Sequence, residues 1–227
     1  MPLVSVIIPV YNEEKTIEEI VKVIDSINID KEVIVIDNGS TDKSREILKG
    51  LLRLPNVKLF FYDKNIGKGG AFKAGLRHAC GDIVIIQDAD MEYDPRDYYQ
   101  LIQPIIDNRA DFTLGIRFAG GYRGLFLHRL GNRFLTGLFN ILYGCRLNDI
   151  YTCYKVCKRE VFNKFNLRSD DFSIDQEIVV RALEEKLRIC EVPVSYRPRS
   201  YSEGKKIRFA DAFRIARNML RLRFVRR

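Results

Sequence analysis

The chain has 227 residues, 46% of them apolar and 30% charged, with 15 Gly and 7 Pro, enough to bury a core as one domain or at most two small ones. A disordered tail protein, a collagen and a small disulfide scaffold are excluded. The net charge of +8 sits at the C-terminus: residues 197–227 hold 11 Lys and Arg against 2 acidic residues, and the first 196 residues sum to −1.

A basic segment of this kind suits nucleic acid, an anionic membrane surface or phosphate-bearing substrates. Cys80, Cys145, Cys153, Cys157 and Cys190 lie mostly in apolar runs and show no CxxC spacing, so reduced thiols in a cytosolic chain are expected. The opening MPLVSVIIPVYNEE lacks a basic leader and a small-residue cleavage site, and no signal peptide is expected. The central charge-free run from Phe134 to Cys145 has 12 residues, against about 20 for a spanning helix.

In chain order, Leu3–Val10, Glu32–Ile36, Val57–Tyr62, Ile83–Gln87 and Asp111–Ile116 are rich in Val, Ile and Phe and end at polar or glycine residues, which predicts strands covered on both faces. Between the first two, Ile17, Ile20, Val21 and Ile24 recur at helical spacing, with Asn12 as the expected N-cap and Glu13 and Glu14 in the first turn. Further helices are predicted over Ser44–Arg53, Gly70–Cys80 and Pro95–Asn108. The alternation implies an α/β fold with a mostly parallel, doubly wound sheet. After residue 116 come a glycine-rich loop at 119–121, a long amphipathic segment, and a Ser173 to Gln176 capping box opening another helix. With no repeat or low-complexity linker, the economical reading is one domain over 1–227, with halves 1–116 and 117–227.

Ligands of such sheets bind at the carboxyl ends of the strands. Asp88-Ala89-Asp90-Met91-Glu92 follows the fourth strand and offers several hard oxygens to one Mg²⁺ or Mn²⁺, which would neutralise a diphosphate leaving group. Asp37-Asn38-Gly39-Ser40-Thr41-Asp42 follows the second, where Gly39 permits a sharp turn and Asp37 aims at a base or ribose. Asn65-Ile66-Gly67-Lys68-Gly69-Gly70 sets backbone amides at a helix start, a geometry that receives phosphate. Of the two histidines, His78 reads as an ordinary surface or partly buried residue and His128 stands beside Arg129.

These blocks, together with Val6-Ile7-Ile8-Pro9-Val10-Tyr11-Asn12-Glu13, fall in the order and spacing of family 2 inverting glycosyltransferases, and the chain resembles that family, with its GT-A fold, over nearly its whole length. The resemblance implies that Pro9, Tyr11, Glu13 and Asp37 form the base and ribose pocket. It makes Asp88 and Asp90 the metal–diphosphate site, with Glu92 as a further ligand and Ala89 among the donor-binding residues. Asn38 stands where the family carries a second Asp; its amide can still hydrogen-bond a base. The C-terminal half resembles the polyprenyl-phosphate branch, of the dolichyl-phosphate mannose synthase type. Arg117, Arg129, Arg133, Asp149, Glu191, Pro193, Arg199 and Lys205 carry this likeness.

The resemblance implies transfer of a sugar from a GDP- or UDP-sugar to a polyprenyl phosphate, with inversion. Asp90, Asp149 and Arg117 would be catalytic, Gly67, Lys68, Arg199 and Lys205 would hold the donor, and Arg117, Arg129 and Arg133 the acceptor. A sugar hydroxyl acceptor would instead need a base, Asp149 or Asp175. The residues themselves argue for a membrane surface: Leu127, Leu130, Phe134, Leu138 and Ile141 form one helical stripe and Arg129, Arg133, Thr136 and Asn140 another. Phe209, Phe213, Ala216, Leu220 and Phe224 repeat the pattern against Arg214, Arg217 and Arg221. Peripheral attachment on the cytoplasmic face follows as an expectation, with a homo-oligomer or a membrane partner protein as further uses of that face. The rivals are a catalytically silent nucleotide-sugar-binding module and a nucleic-acid binder, which would leave the acidic block idle.

Overall fold

A computed structural model describes residues 2–117, 126–199 and 211–224, with the side chains of 126–128 and 211–214 left out. Its centre is a seven-stranded sheet of order β3-β2-β1-β4-β6-β5-β7. The strands are β1 Val4–Val10, β2 Lys31–Asn38, β3 Val57–Tyr62, β4 Ile83–Ile86, β5 Phe112–Ile116, β6 Lys155–Lys158 and β7 Ile189–Pro193. The helices are α1 Ile17–Ser26, α2 Ser44–Gly50, α3 Gly67–His78, α4 Tyr98–Ile106, α5 Phe126–Tyr143, α6 Arg159–Lys164, α7 Ile174–Glu184 and α8 Asp211–Phe224. Only β6 runs antiparallel to its neighbours β4 and β5.

The first five strands occupy their predicted places within two residues. Their apolar runs are buried because helices cover both faces: Val6, Ile7, Ile8, Val33, Ile34, Val35 and Ile36 are fully enclosed. On α1 the predicted stripe of Ile17, Ile20, Val21 and Ile24 is likewise enclosed, each side chain contributing about 1.5–3 kcal/mol of burial. Register sets the ligand edge. Pairing Val10 with Asp37 and Ile7 with Ile86 brings the residues after β1, β2 and β4 to nearly one height.

Two predicted caps are not formed. Asn12 adopts a left-handed backbone (φ 54°) and its side chain crosses to the next loop, Oδ1 accepting from the Thr41 amide at 2.8 Å; α1 therefore starts later, at Ile17. Ser173 has helical backbone and makes no cap, because its hydroxyl accepts from Asn218 of α8 while Gln176 donates to the Tyr151 hydroxyl at 2.9 Å. Strands β6 and β7 were not anticipated: four residues bounded by lysines, and five containing Glu and Pro, carry too little apolar pattern.

Candidate active site

The loops after β1 and β2 are stitched together. The Glu13 amide donates to Ser44 Oγ at 2.8 Å and the Glu14 amide to Asp42 at 3.1 Å. Asp37 is fully buried: Arg45 of α2 binds its Oδ2 at 2.7 and 2.8 Å, and its Oδ1 accepts from the Ser40 amide at 3.3 Å. Its carboxylate is thus covered by Arg45, a partner the sequence did not flag. Asn38 explains its departure from Asp, since its Nδ2 donates to Asn65 at 3.0 Å while its Oδ1 accepts from the Ile66 amide at 2.7 Å. A carboxylate would lose the first bond.

Two amides of the glycine loop are engaged within the protein. Gly67 N donates to Asn65 Oδ1 at 2.7 Å and Gly70 N to the Asp170 carbonyl at 3.0 Å. Gly67 also has φ +80°, and a Cβ there would meet the Asp170 carbonyl at 2.1 Å, so the glycine is required by close backbone packing. Lys68, in contrast, reaches the strand edge and pairs with Asp88 at 2.9 Å.

The three acids of the 88–92 block do not converge as one ligand set, and among the described residues no group of three or more His, Cys, Asp or Glu is arranged to hold a metal ion. Asp88 turns to Lys68. Asp90 and Glu13 both meet the guanidinium of Arg199, the latter at 3.0 Å. Glu92, expected as a further ligand, has both oxygens engaged, Oε2 by the Tyr196 hydroxyl at 2.9 Å and Oε1 by the Arg199 amide at 2.8 Å. Ala89 is buried, its carbonyl accepting from Thr16 at 2.9 Å. What remains for a divalent cation is Asp88 with Asp90, and the electrostatics of Asp90 fit one. Burial and then the charge of Asp88 push its carboxyl up to about 7 against the pull of Arg199, and a hard cation between the two acids would favour their ionised forms.

Behind this edge, Arg117 and Asp149 form a two-pronged pair at 2.7 and 2.8 Å, with Asn132 of α5 donating to Asp149 at 3.0 Å. Burial raises the Asp149 carboxyl, but the charge and hydrogen bonds of Arg117 outweigh it and hold the group below the ordinary range. The Arg117 guanidinium also lies over the Tyr196 ring, 5.1 Å from its centroid. Arg129 stands one turn before Asn132 on α5 and is half-buried, whereas Arg133 is exposed. Pro9 and Tyr11 lie half-buried at the end of β1; Lys205 lies outside the described residues. Tyr196, Asn132 and Arg45 were missed by the sequence reading, because each acts through a partner distant in sequence.

A mostly parallel sheet with one reversed strand, and paired acids and cations gathered at its carboxyl edge, has the architecture of a GT-A type fold. The chain belongs to glycosyl transferase family 2, whose family model matches residues 5–165. It is 30% identical over 199 residues to glycosyltransferase AglJ of Haloferax volcanii, covering 86% of this chain and 63% of the relative. It is 28% identical to the UDP-N-acetylglucosamine–dolichyl-phosphate N-acetylglucosaminyltransferase of Methanococcus voltae, covering 97% of this chain and 96% of the relative. The crystal structure of Mycobacterium tuberculosis glucosyl-3-phosphoglycerate synthase in complex with Mn²⁺, uridine diphosphate and phosphoglyceric acid superposes with a TM-score of 0.74 at 19% identity, covering 100% of this chain and 80% of that one. The chain spans about three-fifths of the length of the first relatives it matches.

Proposed function

We propose that the chain transfers a sugar from a nucleotide-sugar to an acceptor that arrives already ionised, a polyprenyl phosphate at a membrane surface. Supporting the reading is one observation: the two carboxylates named from the sequence as candidate bases, Asp149 and Asp175, are both committed to cations. Asp149 is held by Arg117, and Asp175 lies between Lys68 at 3.1 Å and Lys155 at 3.2 Å. At Asp175 burial raises the carboxyl, but Lys155 and Lys68 outweigh it and leave it below its usual range. A hydroxyl acceptor needs a group that takes a proton; a phosphate oxygen does not.

In this reaction a phosphate oxygen forms a bond to the anomeric carbon as the bond to the donor diphosphate breaks on the opposite face, with inversion and no proton transferred. Arg117 and Arg129 orient the acceptor phosphate, and Lys68 with Arg199 offsets charge on the departing nucleoside diphosphate. Asp88 and Asp90 would hold Mg²⁺ or Mn²⁺, which supplies Lewis-acid neutralisation of the diphosphate. A relative whose name specifies dolichyl phosphate and a UDP-sugar, and a fold neighbour bound to Mn²⁺ and uridine diphosphate, support these choices.

Surface placement has its own support. On α5, Phe134 is 71% and Ile141 82% exposed, and on α8 Phe224 is 72% exposed, with Arg133, Arg217, Arg221 and Arg223 exposed beside them. Of the predicted polar stripe, Arg133 stays exposed while Thr136 is buried and Asn140 closes the following turn by donating to the Leu147 carbonyl at 2.9 Å. Exposed aromatics among arginines suit a headgroup layer of a cytoplasmic leaflet. No helix among the described residues is long and apolar enough to cross a membrane.

The test offers UDP- and GDP-sugars with Mn²⁺ or Mg²⁺ to polyprenyl phosphate and, separately, to the matching polyprenol. Transfer to the phosphate alone is expected. Equal transfer to the alcohol, or none to either, would overturn the reading.

A further inference from the structure

Starting at Asp88, four side chains of alternating charge run inward from the site, each contributed by a different part of the fold. Asp88 follows β4 and pairs with Lys68 of α3 at 2.9 Å; Lys68 donates to Asp175 Oδ2 of α7 at 3.1 Å; Asp175 Oδ1 accepts from Lys155 of β6 at 3.2 Å. Lys155 is completely buried and also donates to the Thr152 carbonyl. Placing an ammonium inside a protein is costly, and pairing it seldom makes it a better stabiliser than an apolar side chain of the same size. Stability alone therefore does not account for a lysine at this position.

Asp175 is one carboxylate shared by two ammonium groups. With Lys155 present the four formal charges sum to zero, and Lys155 alone suffices to balance Asp175. We propose that Lys155 is a positioning residue: by neutralising Asp175 from behind, it leaves the charge of Lys68 available at the mouth of the site for the donor diphosphate beside Asp88. This rests on the nucleotide-sugar reading above. Without Lys155, Asp175 draws Lys68 inward and the site gains one net negative charge facing an anionic ligand. The short antiparallel strand β6, inserted between β4 and β5, is the element that places this lysine beneath the acidic block.

The experiment compares binding of UDP and of GDP, each with Mn²⁺, by titration calorimetry to the wild type, Lys155→Met, and the double variant Asp175→Asn/Lys155→Met. The single substitution is expected to weaken binding of the preferred nucleotide about tenfold, the scale of one uncompensated charge at an effective dielectric near 20. The double substitution removes both charges and is expected to return affinity to within about threefold of wild type. Donor KM should rise with the single substitution while kcat changes less than about twofold. A purely structural lysine would give the reverse order, with the double variant no better than the single, and that result overturns the proposal, as does unchanged binding in Lys155→Met. Should Lys155→Met fail to fold in a melting experiment, Lys155→Gln, which retains donors for Asp175 and Thr152, carries the same expectation. A wild type that binds neither nucleotide refutes the donor reading itself, and this inference with it.

Discussion

Asp149→Asn separates two roles that the sequence leaves equivalent, base and anchor. Asp149 is fully buried and grips Arg117 through both oxygens, so removing its charge leaves a largely buried guanidinium with an amide for a partner. Breaking one side of such a pair costs about 3–5 kcal/mol. At about 2–4 °C per kcal/mol for a domain of this size, the melting temperature should fall by roughly 6–20 °C, as read by calorimetry at pH 7. The folded carboxyl lies below its ordinary range, so its stabilisation is present above the unfolded value near 4 and is lost as pH falls through the folded one. The gap between wild type and variant should accordingly stay constant from about pH 5 to 8 and close only in stronger acid. Adding Arg117→Met should restore part of the stability, since deleting both members of a buried pair is far less costly than deleting one. Turnover with polyprenyl phosphate, measured below the variant's melting range, should drop less than about tenfold, whereas loss of a general base costs about 10²–10⁴. A loss of that larger size with intact fold and nucleotide binding would refute the anchor role, and an unchanged melting temperature would refute the pairing.

Two further outcomes are expected. Asp90→Ala should abolish turnover together with the rise in melting temperature that Mn²⁺ plus nucleotide gives the wild type; retention of both would remove the 88–90 pair as the cation site. Phe134→Glu/Ile141→Glu should leave nucleotide binding and folding intact, because both side chains are exposed, while cutting co-sedimentation with vesicles containing phosphatidylglycerol several-fold. Undiminished sedimentation would mean that this face of α5 does not meet the bilayer.

The first half of the fold was legible because its strands are continuous apolar runs and its helices carry one apolar face, both signals local in sequence. The ligand edge followed from topology: once β1, β2 and β4 are parallel neighbours, the residues after them must gather. What could not be read was the choice of partners. Asp37 looks like a free acid in Asp37–Asp42, yet it is closed off by Arg45 eight residues on; Asn12 looks like a helix cap, yet it bonds to Thr41. The second half hid more, because β6 holds its place in the sheet with Lys155 at its start and no apolar alternation to announce it.

Charge balance then sorts the acids that motif spacing treats alike. Asp149 and Asp175 are each held by cations from other elements, and both carboxyls are shifted downward, the condition of groups whose charge is already spent inside the fold. Asp90 sits a few residues from Asp88 and Glu92 with Arg199 shared among several carboxylates, and its carboxyl is shifted upward. A cation bound beside Asp88 would favour the ionised form of Asp90 and offset its charge. The same sorting supports the proposed acceptor, for where the candidate bases Asp149 and Asp175 are paired with an arginine and lysines, an acceptor oxygen that is already anionic needs no deprotonation before it attacks.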